Sequence, residues 1–235
     1  MSSTTHSSRR RSRRLTGLAA IVLVTVTAAS CIPPAPATGR GTNVRRVELM
    51  GDSLSWGLFG TTPRVDPVLQ ELLAPAGITL TMDGGPGDNP YTLWPWATHA
   101  RWADQLRSRI ATTDPDMVII QSVLFPGGTD PANQQRYRAA FTELVDIAQS
   151  RGAHVYVVAH HRPNSEPART EADIAERIQG EVIADRGVAV IPLNWWLDRC
   201  KSAYTTGGWH LAKNGVNCWA AAANAAVNQL RNAVG

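Results

Sequence analysis

Five short apolar segments recur along the chain, and longer stretches of mixed polar and apolar residues separate them. The apolar segments lie at 47–50, 78–82, 117–121, 154–160 and 188–193, and the helix candidates at 65–73, 98–111, 133–151, 170–186 and 212–233. Strands that alternate with helices predict a parallel sheet with helices on both faces. In such sheets ligands bind beyond the carboxyl ends of the strands, so we expect functional residues directly after the apolar segments.

The first 43 residues have a different pattern from the rest. Five arginines within the first fourteen residues precede an apolar run over 15–29, and Cys31 follows shortly after it. This order is typical of a signal peptide, here predicted over 1–30, with an uncleaved N-terminal anchor as the alternative. The sequence Ala28-Ala29-Ser30-Cys31 resembles a bacterial lipobox, which implies lipidation of Cys31. We therefore predict export, by the Sec or the Tat route, with membrane tethering through that lipid.

The remaining chain divides into a tether and one domain. Residues 31–43 are rich in Pro, Gly and Ala and predict a tether. Residues 44–235 form the predicted domain. Of the 23 basic side chains, five lie in the leader, which leaves 18 against 19 acidic ones. The domain is thus close to neutral, and this excludes the basic footprint of a nucleic-acid-binding protein.

Two of the three cysteines lie close together near the C-terminus. Cys200 and Cys218 are 18 residues apart, whereas Cys31 lies at the predicted processing site. In an exported domain such a pair predicts a disulfide, worth about 3 kcal/mol in the chain-entropy model, with two free thiols as the alternative. The sequence has no CxxC and no Cys/His cluster, so it predicts no metal site.

The first predicted strand runs directly into Gly51-Asp52-Ser53-Leu54-Ser55. A glycine turn that enters a helix at Ser53 would expose its hydroxyl beside free backbone N–H groups, which stabilise an anion that forms on an attacked carbonyl. The alternative is that Ser53 only caps the helix, as serines often do.

The motif GDSLS after a first strand resembles the first signature block of the SGNH (GDSL-type) hydrolases, and the resemblance extends over 44–234. It implies an α/β fold, a flavodoxin-like three-layer α/β/α sandwich with a parallel five-stranded sheet. It also implies hydrolysis or transfer of acyl groups without a cofactor. Ser53 would be the nucleophile, and its backbone N–H would contribute to the oxyanion hole.

Two further blocks of that family concern the oxyanion. Gly87, in the glycine-rich segment after the second strand, matches the second block, which implies that it is another oxyanion donor. The third block departs from the family pattern, because Val123 and Phe125 stand where glycine and asparagine are usual. The donor that this block normally supplies is left open among three residues, namely Gln121, Ser122 and Asn89.

The sequence Gly207-Gly208-Trp209-His210-Leu211 resembles the histidine half of the last block, which implies that His210 is the general base. Gly207 stands where the family usually has an acid. The resemblance then implies that the Gly207 carbonyl orients the histidine. Asp198 is the alternative orienting group.

These observations predict an exported serine ester hydrolase that acts on an ester of a lipid or a cell-envelope glycan. Asn89, Trp94 and Trp209 are candidate substrate contacts, although core packing is the alternative for the tryptophans. Two other functions stay open. One is an O-acyltransferase that acts on an envelope polysaccharide, and the other is a non-catalytic envelope lipoprotein of the same fold that binds glycan or lipid.

Overall fold

A parallel five-stranded sheet lies at the centre of the computed structural model, which describes residues 43–57, 63–85, 101–122, 129–159, 163, 166–205 and 210–233. All four strand pairs are parallel, and the strand order is β2-β1-β3-β4-β5, the order of flavodoxin-like folds. The predicted fold class is therefore confirmed. The strands are β1 (Arg46–Gly51), β2 (Thr79–Gly84), β3 (Met117–Gln121), β4 (His154–Val158) and β5 (Ala189–Ile191).

Helices cover both faces of the sheet. The helices are α1 (Ser53–Trp56), α2 (Val65–Leu73), α3 (Trp102–Thr113), α4 (Pro131–Gln149), α5 (Glu166–Arg186), α6 (Leu193–Leu197) and α7 (Lys213–Asn232), and a 3₁₀ turn spans Ala74–Ala76. Side chains from α2 and α7 pack on one face, and side chains from α3, α4 and α5 pack on the other. Among the described residues, no helix combines the length and the apolar character that a membrane span needs.

Side chains alternate between the two faces along each strand, and this explains why the sheet has one hydrophobic core on each face. In β1, Leu49 belongs to the core beneath α2 and α7, and its neighbour Met50 belongs to the core beneath α3 and α4. Successive side chains of a strand point to opposite faces, so a strand covered on both sides needs apolar residues at nearly every position. All five residues of β3 are buried.

The bounds of several elements differ from those expected. The apolar segment 188–193 contains only a three-residue strand, because Pro192 follows it and α6 begins at Leu193. β4 ends at Val158, two residues before the predicted end. Helix α3 begins at Trp102, four residues after its predicted start, and α5 begins at Glu166, four residues before its predicted start.

The carboxyl ends of β1, β2 and β3 approach each other closely. Gly51 pairs with Gly84 on one side and with Gln121 on the other. Gly84 has a φ of 92°, and a Cβ atom there would collide with the Gly51 carbonyl. The Gly85 N–H donates to that carbonyl over 3.1 Å. This tight edge supports the segment that begins at Asp52.

Candidate active site

The chain turns sharply between β1 and α1, and Ser53 lies at that turn. Asp52 has an extended backbone and is the N-cap of α1, since its Oδ1 accepts the Leu54 N–H over 2.9 Å. Helix α1 is only four residues long and ends at Gly57, which has a φ of 74°. The alternative that Ser53 caps this helix is therefore wrong: Asp52 is the cap, and the Ser53 hydroxyl is not used in the turn.

The Ser53 hydroxyl faces His210, although the two residues are 157 positions apart in the sequence. The distance between Ser53 Oγ and His210 Nε2 is 3.2 Å. Burial of the imidazole lowers the pKa of His210 below its ordinary value, which favours the neutral ring. A neutral imidazole whose Nε2 is unprotonated can accept the serine proton. The structure thus brings together the two residues that base-assisted nucleophilic catalysis requires.

A disulfide closes the segment that carries His210. Cys200 and Cys218 are bonded to each other, as their spacing predicted. Within the same loop, Asn214 Nδ2 donates to the Lys201 carbonyl over 3.1 Å. The start of α7 is thereby fixed to the chain that follows α6.

A short antiparallel bridge also holds His210. The Thr205 N–H donates to the His210 carbonyl over 2.9 Å, and the Ala212 N–H donates to the Ala203 carbonyl over 2.8 Å. Gly215 packs so closely on the Ala203 carbonyl that a Cβ atom at this position would clash. Hydrogen bonds from the bridge therefore hold the backbone at His210 and at Ala212, two residues further along the chain.

One of the two predicted oxyanion donors, the Ser53 N–H, lies within the described residues. The Ser53 N–H has no hydrogen-bond partner among the described residues, so it is available to a substrate oxygen. Gly87 lies outside the described residues, and its predicted role stays a prediction. The same holds for the predicted roles of Asn89, Trp94, Gly207, Trp209 and Cys31.

Two of the residues left open as the third donor form hydrogen bonds within the protein. Gln121 Nε2 donates to Asp52 Oδ1 over 3.0 Å. Ser122 is buried, and its carbonyl accepts a hydrogen bond of 2.8 Å from Gln179 Nε2. Its hydroxyl lies 3.5 Å from the hydroxyl of Tyr137. The described contacts of both side chains thus lie within the protein.

Asp198 lies at the C-terminal end of α6, where its backbone N–H donates to the Asn194 carbonyl. The described residues include no hydrogen bond between Asp198 and the ring of His210. Burial raises the pKa of Tyr204 to about 12, and the negative charge of Asp198 adds to the effect.

A second polar cluster, which no sequence motif predicted, joins β1, β2 and α3. Glu48 in β1 is fully buried and accepts a hydrogen bond from the Thr81 hydroxyl. Asp83 in β2 forms an ion pair with Arg109 of α3, and its carbonyl accepts the Trp56 indole N–H over 3.1 Å. The signal that the sequence offers is a lone acidic residue within the first apolar segment, Glu48, and another directly after the second, Asp83. No described residues form a group of three or more His, Cys, Asp or Glu side chains that could hold a metal ion.

Comparison with known proteins gives structural neighbours only. No protein-family model matches the chain, and no curated protein matches it either. A protein assigned as an SGNH hydrolase from Slackia heliotrinireducens superposes with a TM-score of 0.60 at 16% identity, over 78% of this chain and 98% of that one. A protein assigned as an arylesterase from Agrobacterium tumefaciens gives 0.58 at 19% identity, over 79% and 99%.

A third neighbour is the psychrotrophic esterase EstA from Pseudoalteromonas sp., in a structure inhibited by monoethylphosphonate. It superposes with a TM-score of 0.52 at 15% identity, over 80% of this chain and 93% of that one. At identities this low, the three comparisons establish a shared fold.

Proposed function

We propose that this chain, which has the fold of the SGNH hydrolases, is a serine ester hydrolase with Ser53 as nucleophile and His210 as general base. The observation that carries the proposal is the 3.2 Å contact between Ser53 Oγ and His210 Nε2. The turn places this hydroxyl at the carboxyl edge of the sheet, where ligands bind in open parallel folds. Neighbours of the same fold are named as an arylesterase and an esterase.

The proposed reaction has two steps. In the first, Ser53 Oγ bonds to the acyl carbon while its proton passes to His210 Nε2, and the carbonyl oxygen becomes an oxyanion. The Ser53 N–H and, as predicted, the Gly87 N–H donate to that oxygen. The tetrahedral intermediate then breaks its bond to the alcohol, which leaves with the proton from His210. In the second step water bonds to the acyl carbon while its proton passes to His210. The bond between the acyl carbon and Ser53 Oγ then breaks, His210 returns the proton to that oxygen, and the carboxylic acid is released.

The test combines a covalent probe with turnover of a chromogenic ester. A fluorophosphonate forms a covalent bond to an activated serine, so the wild type should be labelled at Ser53. Ser53→Ala should abolish labelling, and both Ser53→Ala and His210→Ala should lower kcat by about 10⁴-fold or more. Ser108→Ala, at an exposed serine of α3, is the matched control and should change neither. Labelling that persists in Ser53→Ala would contradict the assignment.

The pH dependence of turnover provides a second measurement. Because burial lowers the pKa of His210, the base stays neutral to lower pH than an ordinary histidine. The rate should therefore hold its plateau down to about pH 6.5, the ordinary histidine value, and fall only below it. Turnover that requires a sugar hydroxyl as acceptor would indicate an O-acyltransferase. A wild type that neither reacts with the probe nor hydrolyses esters would favour a non-catalytic binding protein.

The location and the substrate class belong to the same proposal. The leader pattern and the Cys200–Cys218 disulfide support an exported protein, since disulfides persist outside the reducing cytoplasm. We accordingly propose a lipid on Cys31 and an ester of a lipid or a cell-envelope glycan as substrate. Mass spectrometry of the N-terminus after expression in a bacterium should find Cys31 as the lipidated first residue. An unlipidated N-terminus at another position would contradict the anchor.

A further inference from the structure

A single buried amide bridges the two sides of the turn that carries Ser53. Gln121 is the last residue of β3 and is fully buried opposite Gly51. Its Nε2 donates to Asp52 Oδ1 over 3.0 Å, and its Oε1 accepts the Ser55 hydroxyl over 2.6 Å. The Gln121 side chain thus contacts Asp52, which precedes Ser53, and Ser55, which follows Leu54.

These contacts restrict the backbone of Ser53 from both sides. The Asp52 oxygen that accepts from Gln121 also accepts the Leu54 N–H over 2.9 Å, so it fixes the first turn of α1. Space around the bridge is filled: a Cβ atom on Gly51 would lie 2.6 Å from Ser55 Oγ and 3.3 Å from Gln121 Oε1. The turn is therefore held in one conformation by side-chain contacts that do not involve the Ser53 hydroxyl.

We propose that Gln121 is the positioning residue for Ser53, acting through Asp52 and Ser55. This inference rests on the proposed hydrolase function. By fixing the turn, Gln121 keeps Ser53 Oγ at 3.2 Å from His210 Nε2 and keeps the Ser53 N–H directed at the same substrate carbonyl. Gln121 itself contacts neither His210 nor, in this proposal, the reacting atoms. The cost of losing it then falls on the chemical step and not on substrate binding.

The experiment compares Gln121→Met and Ser55→Ala with the control Gln70→Met. Gln70 of α2 likewise uses both ends of its amide: its Nε2 donates to the Ile78 carbonyl over 3.0 Å, and its Oε1 accepts the Leu80 N–H over 2.8 Å. These bonds lie near the amino end of β2. Each variant is assayed well below its own melting temperature for kcat, KM and the rate constant of labelling by a fluorophosphonate.

We expect Gln121→Met to lower kcat and the labelling rate by about 10- to 100-fold with KM within about twofold, since misplacement of a reacting group by about 1 Å costs up to about 10². Ser55→Ala should show a smaller loss of the same kind. The double variant should lose less than the product of the two single losses, because both remove one shared contact. Gln70→Met should lower the melting temperature without changing kcat.

The outcomes separate this inference from the proposed function. Wild-type labelling at Ser53 together with wild-type kcat in Gln121→Met would overturn the positioning role alone. A kcat loss as large in Gln70→Met as in Gln121→Met would also overturn it, since a general loss of stability would then explain both. A wild type without labelling or turnover would overturn the proposed function, and the positioning role with it. If Gln121→Met does not fold, Ser55→Ala with wild-type kcat overturns the inference by itself.

Discussion

Replacing Glu48 by glutamine should stabilise the protein at neutral and alkaline pH but not below about pH 4.5. Glu48 is fully buried in β1, and its Oε1 has no hydrogen-bond partner among the described residues. Burial raises the pKa of this carboxyl from 4.5 to about 7, and the negative charge of Asp83 adds to the effect. The Thr81 hydroxyl and the Arg109 guanidinium act in the opposite direction but are outweighed.

The raised pKa determines the sign of the effect on stability. Between pH 4.5 and about 7 the folded state holds a proton on Glu48 that the unfolded state has lost, so the free energy of unfolding falls as pH rises through this window. The loss is complete above about pH 7. A shift from 4.5 to about 7, at 1.36 kcal/mol per pKa unit, corresponds to at most about 3 kcal/mol. Glutamine stays neutral throughout and removes this pH dependence.

Urea denaturation of wild type and Glu48→Gln at pH 5, 6, 7 and 8 measures the effect. The difference in unfolding free energy should grow in favour of the variant from pH 5 to 7 and then level off. Glu71→Gln, at an exposed position of α2, is the control for removing one negative charge. A difference that does not change with pH, or one that grows against the variant, would refute the reasoning, because Glu48 would then be ionised in the folded state at pH 5.

Two other predictions concern the segment that holds His210. Thiol counting under denaturing, non-reducing conditions should find neither Cys200 nor Cys218 free. A Cys200→Ser/Cys218→Ser double variant should lose about 3 kcal/mol of stability and part of its kcat. An unchanged kcat would show that the disulfide does not position the histidine. Asp198→Asn should change kcat by less than about tenfold if the Gly207 carbonyl orients His210, whereas a loss of about 10⁴-fold at an unchanged melting temperature would identify Asp198 as the orienting acid.

The strands could be predicted because both faces of the sheet are covered. β3 was predicted at both ends, since four consecutive apolar residues follow Asp116 and the polar residues Gln121 and Ser122 come after them. The end of β5 was not, because Leu193 is as apolar in α6 as it would be in a strand. The start of α4 had a readable signal that was missed: Asp130 caps the helix through its Oδ1, and Pro131 occupies the first position.

The candidate site was predictable only as far as motifs extend. Ser53 and His210 each lie in a recognisable motif, so their proximity could be expected. The bond between Gln121 and Asp52 depends on the register that places Gly51 beside Gln121, and no local pattern in the sequence fixes that register. The cluster of Glu48, Asp83 and Arg109 depends likewise on which helix covers β1 and β2.

The contacts of the GDSLS segment distinguish the residues that build the turn from Ser53. Gly51 has no room for a side chain, Asp52 caps α1, and Ser55 donates to Gln121. These roles would exist in any protein that needed this turn, so those three residues do not by themselves indicate catalysis. Ser53 is different, because its hydroxyl takes no part in the hydrogen bonds of the turn and lies within hydrogen-bond distance of His210. A buried hydroxyl that the fold does not require, held beside a neutral imidazole, is the feature for which catalysis gives a physical reason.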